Sequence, residues 1–261
     1  MTRILRSKFK AKFSKPRPRS YKQSPYYKSS FHLKLQHIFK KYRLKYDEKE
    51  NTIINLDTGE PFLIFSFDES SQQFTANNIR VWSLKKPRMI KNTSKHKINA
   101  AGSYSLTKDG KDDLVFLENS KKESIVDALK KLRKKNPKGV ILLLIDNFPS
   151  HQSYLVRDYG KKLGMEFCFL PPHSPELQPE ENVWHAIKRL ISSFKIDRIP
   201  NYNKLKKEES ESLLKELISK FFYQIVESKS KWNKVLNNYI KPIIKLFNPN
   251  ENSDWEVQKI Y

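Results

Sequence analysis

Short continuous apolar runs alternate along the chain with longer segments in which apolar residues recur every three or four positions. The run at 141–145 is bounded by turn-forming residues and ends at Asp146, a pattern that predicts a buried strand. The run at 62–67 ends in the same way at Asp68. Two aspartates are therefore expected where buried strands end.

The rest of the pattern predicts an α/β fold. Strands are expected at 79–82, 98–106, 114–117 and 166–170, and helices at 120–135, 152–163 and 179–194. The early strands would form an antiparallel meander, whereas the later strands alternate with helices. Apolar positions between Phe31 and Phe39 indicate a leading helix, and two further helices are expected after Pro200. The apolar faces of those two helices are interpreted as core, with a partner interface as the alternative.

The chain carries a large excess of positive charge. Its 261 residues include 51 Lys and Arg against 28 Asp and Glu, a formal net charge of +23. Residues 1–46 hold 15 of the basic residues and no acidic one. This segment is interpreted as a disordered basic tail, with a transit peptide as the weaker alternative. The charge attracts a phosphate backbone, which suits a nucleic-acid enzyme without identifying one.

Cysteine content and hydropathy exclude several classes of protein. The lone Cys168 lies in a short apolar run and is expected to be an inert core thiol, so no disulfide framework is possible. The sequence contains neither an apolar span of about 20 residues nor a secretory leader. These features favour a cytoplasmic, nucleoid-associated protein with no membrane partner.

Motifs around the acidic residues resemble those of one enzyme family. DNFPSH at 146–151 and LPPHSPELQPEENVW at 170–184 are similar to the DNxPSH and LPPYSPDLNPIENVW signatures of Tc/mariner-like insertion-sequence transposases, in the DDE superfamily. Asp68 is followed by Glu69 and Ser70, which matches the family's first acidic motif. The family's R-x-W-x-x-K stretch is matched by Arg80, Val81, Trp82 and Lys85. The resemblance runs from about 62 to 190.

This resemblance implies an RNase H-like fold, with a mixed five-stranded sheet, flanking helices and additional C-terminal helices. It also implies that Asp68, Asp146 and Glu181 are the catalytic residues and metal ligands. The 34 residues between Asp146 and Glu181 equal the family's spacing. The carboxylates would hold two Mg²⁺ or Mn²⁺ ions, hard cations that prefer oxygen ligands. Asp68 would bridge the two ions, and Asp146 and Glu181 would each complete one of them.

The implied reaction is metal-dependent phosphodiester hydrolysis and DNA strand transfer at transposon ends. Two bound ions stabilise the attacking and leaving oxygens of such a displacement. The partner is double-stranded DNA, with TA as the expected target. The alternatives are a catalytically inactive DNA-binding transposase remnant, which the intact carboxylates oppose, and another RNase H-like nuclease, which the loop at 170–184 opposes.

Two of the departures from the family pattern matter for the site. Gln178 replaces the usual Asn, and Glu180 stands where an apolar Ile is usual. Because Glu180 is in register with Val183 and Trp184, it is expected to face inward, which leaves Glu181 as the better metal ligand. A buried Glu180 would need a partner or a raised pKa.

Several residues near the carboxylates are candidates for contact with DNA. They are Asn147, His151, His173, Lys188, Arg80, Lys85, Lys86 and Arg88. Each has a structural alternative: Asn147 could order its turn, His151 could cap a helix, and the basic residues could be solvated surface. Glu176 is expected to cap or brace its loop rather than bind metal.

Recognition of a specific DNA end is not explained by the pattern. Family members carry a helix-turn-helix region before the catalytic core, and no such pair of helical patterns precedes Asp68. The chain is therefore expected to be a truncated copy or to act with a separate helix-turn-helix protein. Its own sequence specificity is expected to be poor. A homodimer is a candidate assembly. The chain is divided into a basic tail and leading helix at 1–46, a catalytic domain at 47–200 and a helical extension at 201–261.

Overall fold

A mixed sheet of five strands lies at the centre of the protein. The computed structural model describes residues 7–8, 25–74, 97–172, 174–193, 206–228 and 235–245. The strands of the chain are β1 (Leu44–Asp47), β2 (Thr52–Asn55), β3 (Phe62–Gln72), β4 (Ile98–Ser105), β5 (Asp113–Leu117), β6 (Val140–Ile145) and β7 (Met165–Phe169). β1 and β2 form a separate hairpin, and the large sheet has the order β5-β4-β3-β6-β7. Its first half is antiparallel and its second half parallel, which confirms the α/β half and, for the strands that are described, the predicted meander.

Helices cover both faces of this sheet. They are α1 (Pro25–Lys41), α2 (Lys122–Lys135), α3 (Pro149–Gln152), α4 (Tyr154–Lys162), α5 (Pro179–Ser193), α6 (Lys207–Glu227) and α7 (Lys241–Lys245), with a 3₁₀ turn at Pro175–Leu177 and a π-helix at Leu236–Ile240. Apolar residues of α2 and α4 form one core, and those of α1, α5, α6 and α7 form the other. The helix predicted at 152–163 is divided at Ser153, whose hydroxyl accepts from the Val156 N–H and caps α4.

Strand β3 separates the two cores because its side chains alternate between them. Phe62 and Ile64 belong to the core under α1 and α5, whereas Leu63, Phe65 and Phe67 belong to the core under α2 and α4. A strand that is buried on both faces appears in sequence as a continuous apolar run. That burial is why the runs at 62–67 and 141–145 could be recognised as strands.

The first described helix is part of the fold and is not a tail. Phe31, Leu35 and Phe39 of α1 are fully or almost fully buried. Tyr42, which follows α1, donates a hydrogen bond of 2.6 Å to Glu166 of β7. The leading helix expected between Phe31 and Phe39 is therefore confirmed, and the interpretation of 1–46 as a disordered tail is wrong for residues 25–46, because their apolar face packs on the sheet. The proposed boundary after residue 46 also falls inside β1.

The C-terminal helices pack as predicted. Leu214, Ile218 and Phe222 of α6 are buried, as are Leu236 and Ile240, in the same core as α5. The helical extension thus shares its core with the sheet. No helix within the described part of the chain is long and apolar enough to span a membrane.

Several predicted features lie outside the described residues. They are the strand at 79–82, most of residues 1–24, and the DNA-contact candidates Arg80, Lys85, Lys86, Arg88 and His173.

Candidate active site

The two aspartates lie next to each other on neighbouring parallel strands. Phe67 of β3 pairs with Ile145 of β6, so Asp68 and Asp146 are the next residues along each strand. Asp146 directly follows β6, as predicted. β3 continues beyond Phe67 to Gln72, because its pairing with β4 persists, so Asp68 lies within the strand and not after its end.

Glu181 approaches the aspartates from α5. This helix packs on the sheet through Val183 and Trp184, which are buried, and so brings its first turn over β3 and β4. Glu181 is exposed and lines a cavity of about 380 Å³ together with Asp68. The inward orientation predicted for Glu180 is confirmed, since Glu180 is fully buried.

Glu180 occupies a space that Gly102 leaves open. Gly102 is the β4 residue opposite Asp68. A Cβ on Gly102 would lie only 2.2 Å from Oε1 of Glu180 and 2.8 Å from Cζ2 of Trp184. Neither carboxyl oxygen of Glu180 has a hydrogen-bond partner among the described residues. Burial, and next the charges of Asp68 and Asp112, raise the pKa of Glu180 well above its usual value, so the neutral acid is favoured.

We expect Gly102→Ala to destabilise the protein by about 1–3 kcal/mol, the usual cost of overpacking a core. The added methyl would displace Glu180 and Trp184 and so shift the first turn of α5. Urea unfolding measures the change. Part of the loss should be recovered in a Glu180→Ala background, and an unchanged stability of Gly102→Ala would contradict the close packing.

Negative charge accumulates around Asp68. Burial, the charges of Glu69 and Asp146 and, more weakly, that of Glu181 raise the pKa of Asp68 to about 8. The pKa of Glu181 is also raised, mainly by burial, although the charge of Lys188 opposes the shift. The carboxylates of the site therefore outnumber the positively charged side chains beside them.

His151 connects two of these carboxylates. Its Nδ1 lies 2.6 Å from Oδ1 of Asp146, and its Nε2 lies 2.8 and 2.9 Å from the two carboxylate oxygens of Glu69. Burial lowers the pKa of His151, but the hydrogen bonds to Asp146 and Glu69 outweigh that effect and raise the pKa to about 9. Conversely, burial would raise the pKa of Asp146, yet the bonds from His151 and the Phe148 N–H keep it below its usual value.

In this structure the DNA-contact candidate His151 contacts two carboxylates, and its contact with DNA stays a prediction. The residue is fully buried, and both ring nitrogens face carboxylates. Asn147 is exposed, but its amide donates to the Leu170 carbonyl and accepts from Gln152, as expected of a residue that orders its turn. Glu176 forms an ion pair of 2.6 Å with Lys28 of α1, which fits the predicted loop-bracing role.

The exposed face of α5 supplies polar groups that sequence analysis did not select. Asn182 and His185 line the cavity beside Glu181, as does the predicted candidate Lys188. Positions 181, 185 and 188 share one helix face, so their spacing could have indicated His185. Lys188 carries a positive charge, and the side chains of Asn182 and His185 can donate hydrogen bonds. This wall of the cavity can therefore bind an anionic group next to the carboxylates.

The donor set fits a divalent cation in its chemistry. Asp68, Asp146 and Glu181 offer oxygen ligands, which Mg²⁺ and Mn²⁺ prefer. The pKa of Asp68 is raised by burial and then by neighbouring negative charge, which a cation would balance. In this conformation, however, no three His, Cys, Asp or Glu side chains among the described residues converge on one metal position. Asp146 is directed towards His151.

Comparison with known proteins identifies the family. The model of the DDE superfamily endonucleases matches residues 63–205, more than half of the chain. Among curated proteins, none matches the chain by sequence.

Solved structures of Mos1 transposase share the fold. The paired-end complex with the left transposon end is 15% identical with a TM-score of 0.54, and the match covers 95% of this chain and 70% of that one. The strand transfer complex is 14% identical with a TM-score of 0.54, covering 98% and 70%. The Mos1 mariner paired-end complex with Mn is 16% identical with a TM-score of 0.51, covering 92% and 67%. This similarity, with the five-stranded sheet, confirms the RNase H-like fold.

Asp68, Asp146 and Glu181 all lie within the residues that the family model matches. We conclude that this chain belongs to the DDE superfamily of endonucleases.

Proposed function

We propose that this DDE endonuclease is the catalytic subunit of a transposase, which cleaves DNA at transposon ends and transfers the cut strand to target DNA. The observation that carries this proposal is that Asp68 and Asp146 directly follow paired residues of two parallel strands, and that Asp68 and Glu181 line one cavity. The family motifs with their spacing, and the fold shared with Mos1 transposase, support the same function.

Asp68, Asp146 and Glu181 are proposed to hold two divalent cations, Mg²⁺ or Mn²⁺. When bound, such ions activate a water or a 3′-hydroxyl and stabilise the oxygen that leaves phosphorus. Burial and then the charges of Glu69, Asp146 and Glu181 raise the pKa of Asp68, and a cation held by Asp68 together with Asp146 and Glu181 would balance this charge. One relative, the Mos1 paired-end complex, was solved with Mn.

The non-acidic wall of the cavity is proposed to hold the scissile phosphate. Lys188 supplies a positive charge close enough to oppose the rise in the pKa of Glu181. Asn182 and His185 add polar groups on the same helix. These residues would orient the phosphate so that the leaving oxygen faces the carboxylates.

Double-stranded DNA is the proposed partner. The net charge of +23 supplies sequence-independent attraction to phosphates. The Mos1 structures include a paired-end complex with the left transposon end and a strand transfer complex. A TA target, a homodimer and end recognition by a separate helix-turn-helix protein are finer proposals about the same function.

Incubating the purified chain with duplex DNA that carries its flanking inverted repeats, with and without Mn²⁺, tests the function. Metal-dependent nicking at the repeat ends, followed by joining of the free 3′ end to a second duplex, is the expected result. Binding without nicking would indicate the inactive remnant. Cleavage of branched DNA without joining would indicate another RNase H-like nuclease.

The raised pKa of Asp68 predicts that the metal-free protein loses stability as pH rises. Because its pKa of about 8 in the folded state exceeds the ordinary value of 3.8, the folded state binds the proton more tightly than the unfolded state. The resulting stabilisation is complete below about pH 4 and is lost progressively up to about pH 8. Asp68→Asn should flatten this dependence in urea unfolding with EDTA between about pH 5 and 8. Parallel pH dependences for wild type and Asp68→Asn would contradict the prediction.

A further inference from the structure

Glu69 faces a different side of the sheet from its neighbour Asp68. Side chains alternate along β3, so Glu69 follows Phe65 and Phe67 on the face covered by α2 and α4. Its side chain is only 12% exposed. Although Glu69 reaches the edge of the cavity, both of its carboxylate oxygens are within 2.9 Å of His151 Nε2.

The ring of His151 is held in place on every side. Its side chain is 1% exposed, and the rings of Phe67 and Phe148 pack edge-on against it, with centroids at 5.9 and 5.7 Å. Its backbone N–H donates to the Phe148 carbonyl at 2.9 Å. The two ring nitrogens therefore point in fixed directions, one towards Glu69 and one towards Asp146.

The contacts on Asp146 are confined to one oxygen. Oδ1 accepts the Phe148 N–H at 3.0 Å and lies 2.6 Å from His151 Nδ1. Among the described residues, none donates a hydrogen bond to Oδ2. Since the side chain is 43% exposed, Oδ2 is the oxygen left for an external ligand.

We propose that Glu69 and His151 are positioning residues, which form a hydrogen-bonded brace from β3 to Oδ1 of Asp146 and so present Oδ2 to a divalent cation. The inference rests on the proposed role of Asp146 as a metal ligand. Hydrogen bonds to a metal-binding side chain fix its orientation, and their removal commonly weakens metal binding by about 10- to 100-fold. Glu69 is then a support for the site and not a ligand of it.

Titration of the full chain with Mn²⁺ alone, followed by the electron paramagnetic resonance of free Mn²⁺, tests the brace without reference to activity. Glu69→Ala and His151→Ala should each weaken Mn²⁺ binding by about 10- to 100-fold. His151→Asn should lose less, because its amide nitrogen can replace Nδ1 and keep the bond to Asp146. The exposed His37 of α1 provides the matched control, and His37→Asn should bind Mn²⁺ like wild type.

A double variant and a metal rescue give further readouts. If the brace is one chain of hydrogen bonds, the double variant Glu69→Ala/His151→Ala should bind Mn²⁺ no more weakly than the more strongly affected single variant. Excess Mn²⁺ should restore DNA cleavage in the brace variants but not in Asp146→Asn. Thermal unfolding verifies that each variant is folded. If His151→Ala is not folded, the Mn²⁺ binding of Glu69→Gln and His151→Asn is compared with that of the wild type instead.

The outcomes separate this inference from the proposed function. If Asp146→Asn loses Mn²⁺ binding while the folded brace variants bind like wild type, the brace is wrong and the metal site stands. If Glu69→Ala behaves like Asp146→Asn and excess Mn²⁺ does not rescue it, Glu69 is a ligand and the brace is again wrong. If the wild type binds no Mn²⁺, the proposed metal site fails, and the brace fails with it.

Discussion

Asp68→Asn, Asp146→Asn and Glu181→Gln are each expected to abolish DNA cleavage, lowering the rate by at least about 10³-fold, or roughly 4 kcal/mol of transition-state stabilisation. Each substitution removes a negatively charged oxygen without changing the volume of the side chain, so the fold and the affinity for DNA should be retained. Single-turnover nicking of a labelled duplex with Mg²⁺ or Mn²⁺ measures the effect. The losses should not add in double variants, because the carboxylates are proposed to hold the same pair of ions and would act as one unit.

Glu180→Gln is the matched control for Glu181→Gln, since both change a Glu in the first turn of α5. Glu180 is fully buried and has a raised pKa that favours the neutral acid, so the neutral amide should leave cleavage largely intact. The reverse result, an active Glu181→Gln and an inactive Glu180→Gln, would move the third carboxylate to Glu180. A near wild-type rate in either aspartate variant would remove that residue from the catalytic set.

The strands of the site could be predicted because burial on both faces leaves a clear pattern. β6 begins one residue before the predicted run at 141–145 and ends with it. The aspartates after the two apolar runs lie side by side because the strands are parallel. For a similar reason, the helical register of α5 made it possible to predict that Glu180 faces inward and that Glu181 does not. One face of the helix must be apolar, and a residue in register with it is carried inward.

The hydrogen bonds of His151 could not be predicted from the periodicity of apolar and polar residues in the sequence. Glu69 and His151 are 82 positions apart, and they meet only because β3 and the loop after β6 lie at the same edge of the sheet. His151 follows a catalytic motif, which suggested contact with DNA. Its burial between the rings of Phe67 and Phe148 depends on packing that sequence spacing does not encode.

The leading helix was predicted from its apolar positions, but the charge of residues 1–46 led to the interpretation of the whole segment as a disordered tail. Residues 25–46 carry six Lys or Arg and no acid, which is typical of a solvated tail, yet Phe31, Leu35 and Phe39 bury one face of α1. The β1–β2 hairpin was missed, because strands of four residues bury only two side chains each and give a weak alternation. Net charge describes the surface of a segment, whereas its apolar face decides whether it folds.

Residues 1–24 are accordingly the segment to remove in testing the basic tail. They contain nine Lys or Arg and no acidic residue, and their removal spares α1 and its core contacts. We expect the truncated protein to bind random duplex much less tightly at low salt. The slope of log affinity against log salt should fall by about 0.9 for each phosphate that these residues neutralise. Fluorescence anisotropy with labelled duplex between about 50 and 200 mM salt measures the slope.

A variant with residues 2–24 scrambled is the control for this truncation, because it keeps the charge and changes only the order. If the segment binds phosphates through charge alone, the scrambled protein should keep the wild-type slope, since phosphate contacts carry no sequence information. If the segment neutralises about six or more phosphates, the fall in affinity that wild type shows over this salt range, about 10³-fold or more, should largely disappear on truncation. An unchanged slope after truncation would instead assign the salt-dependent contacts to residues after 24, among which Lys188 lines the cavity.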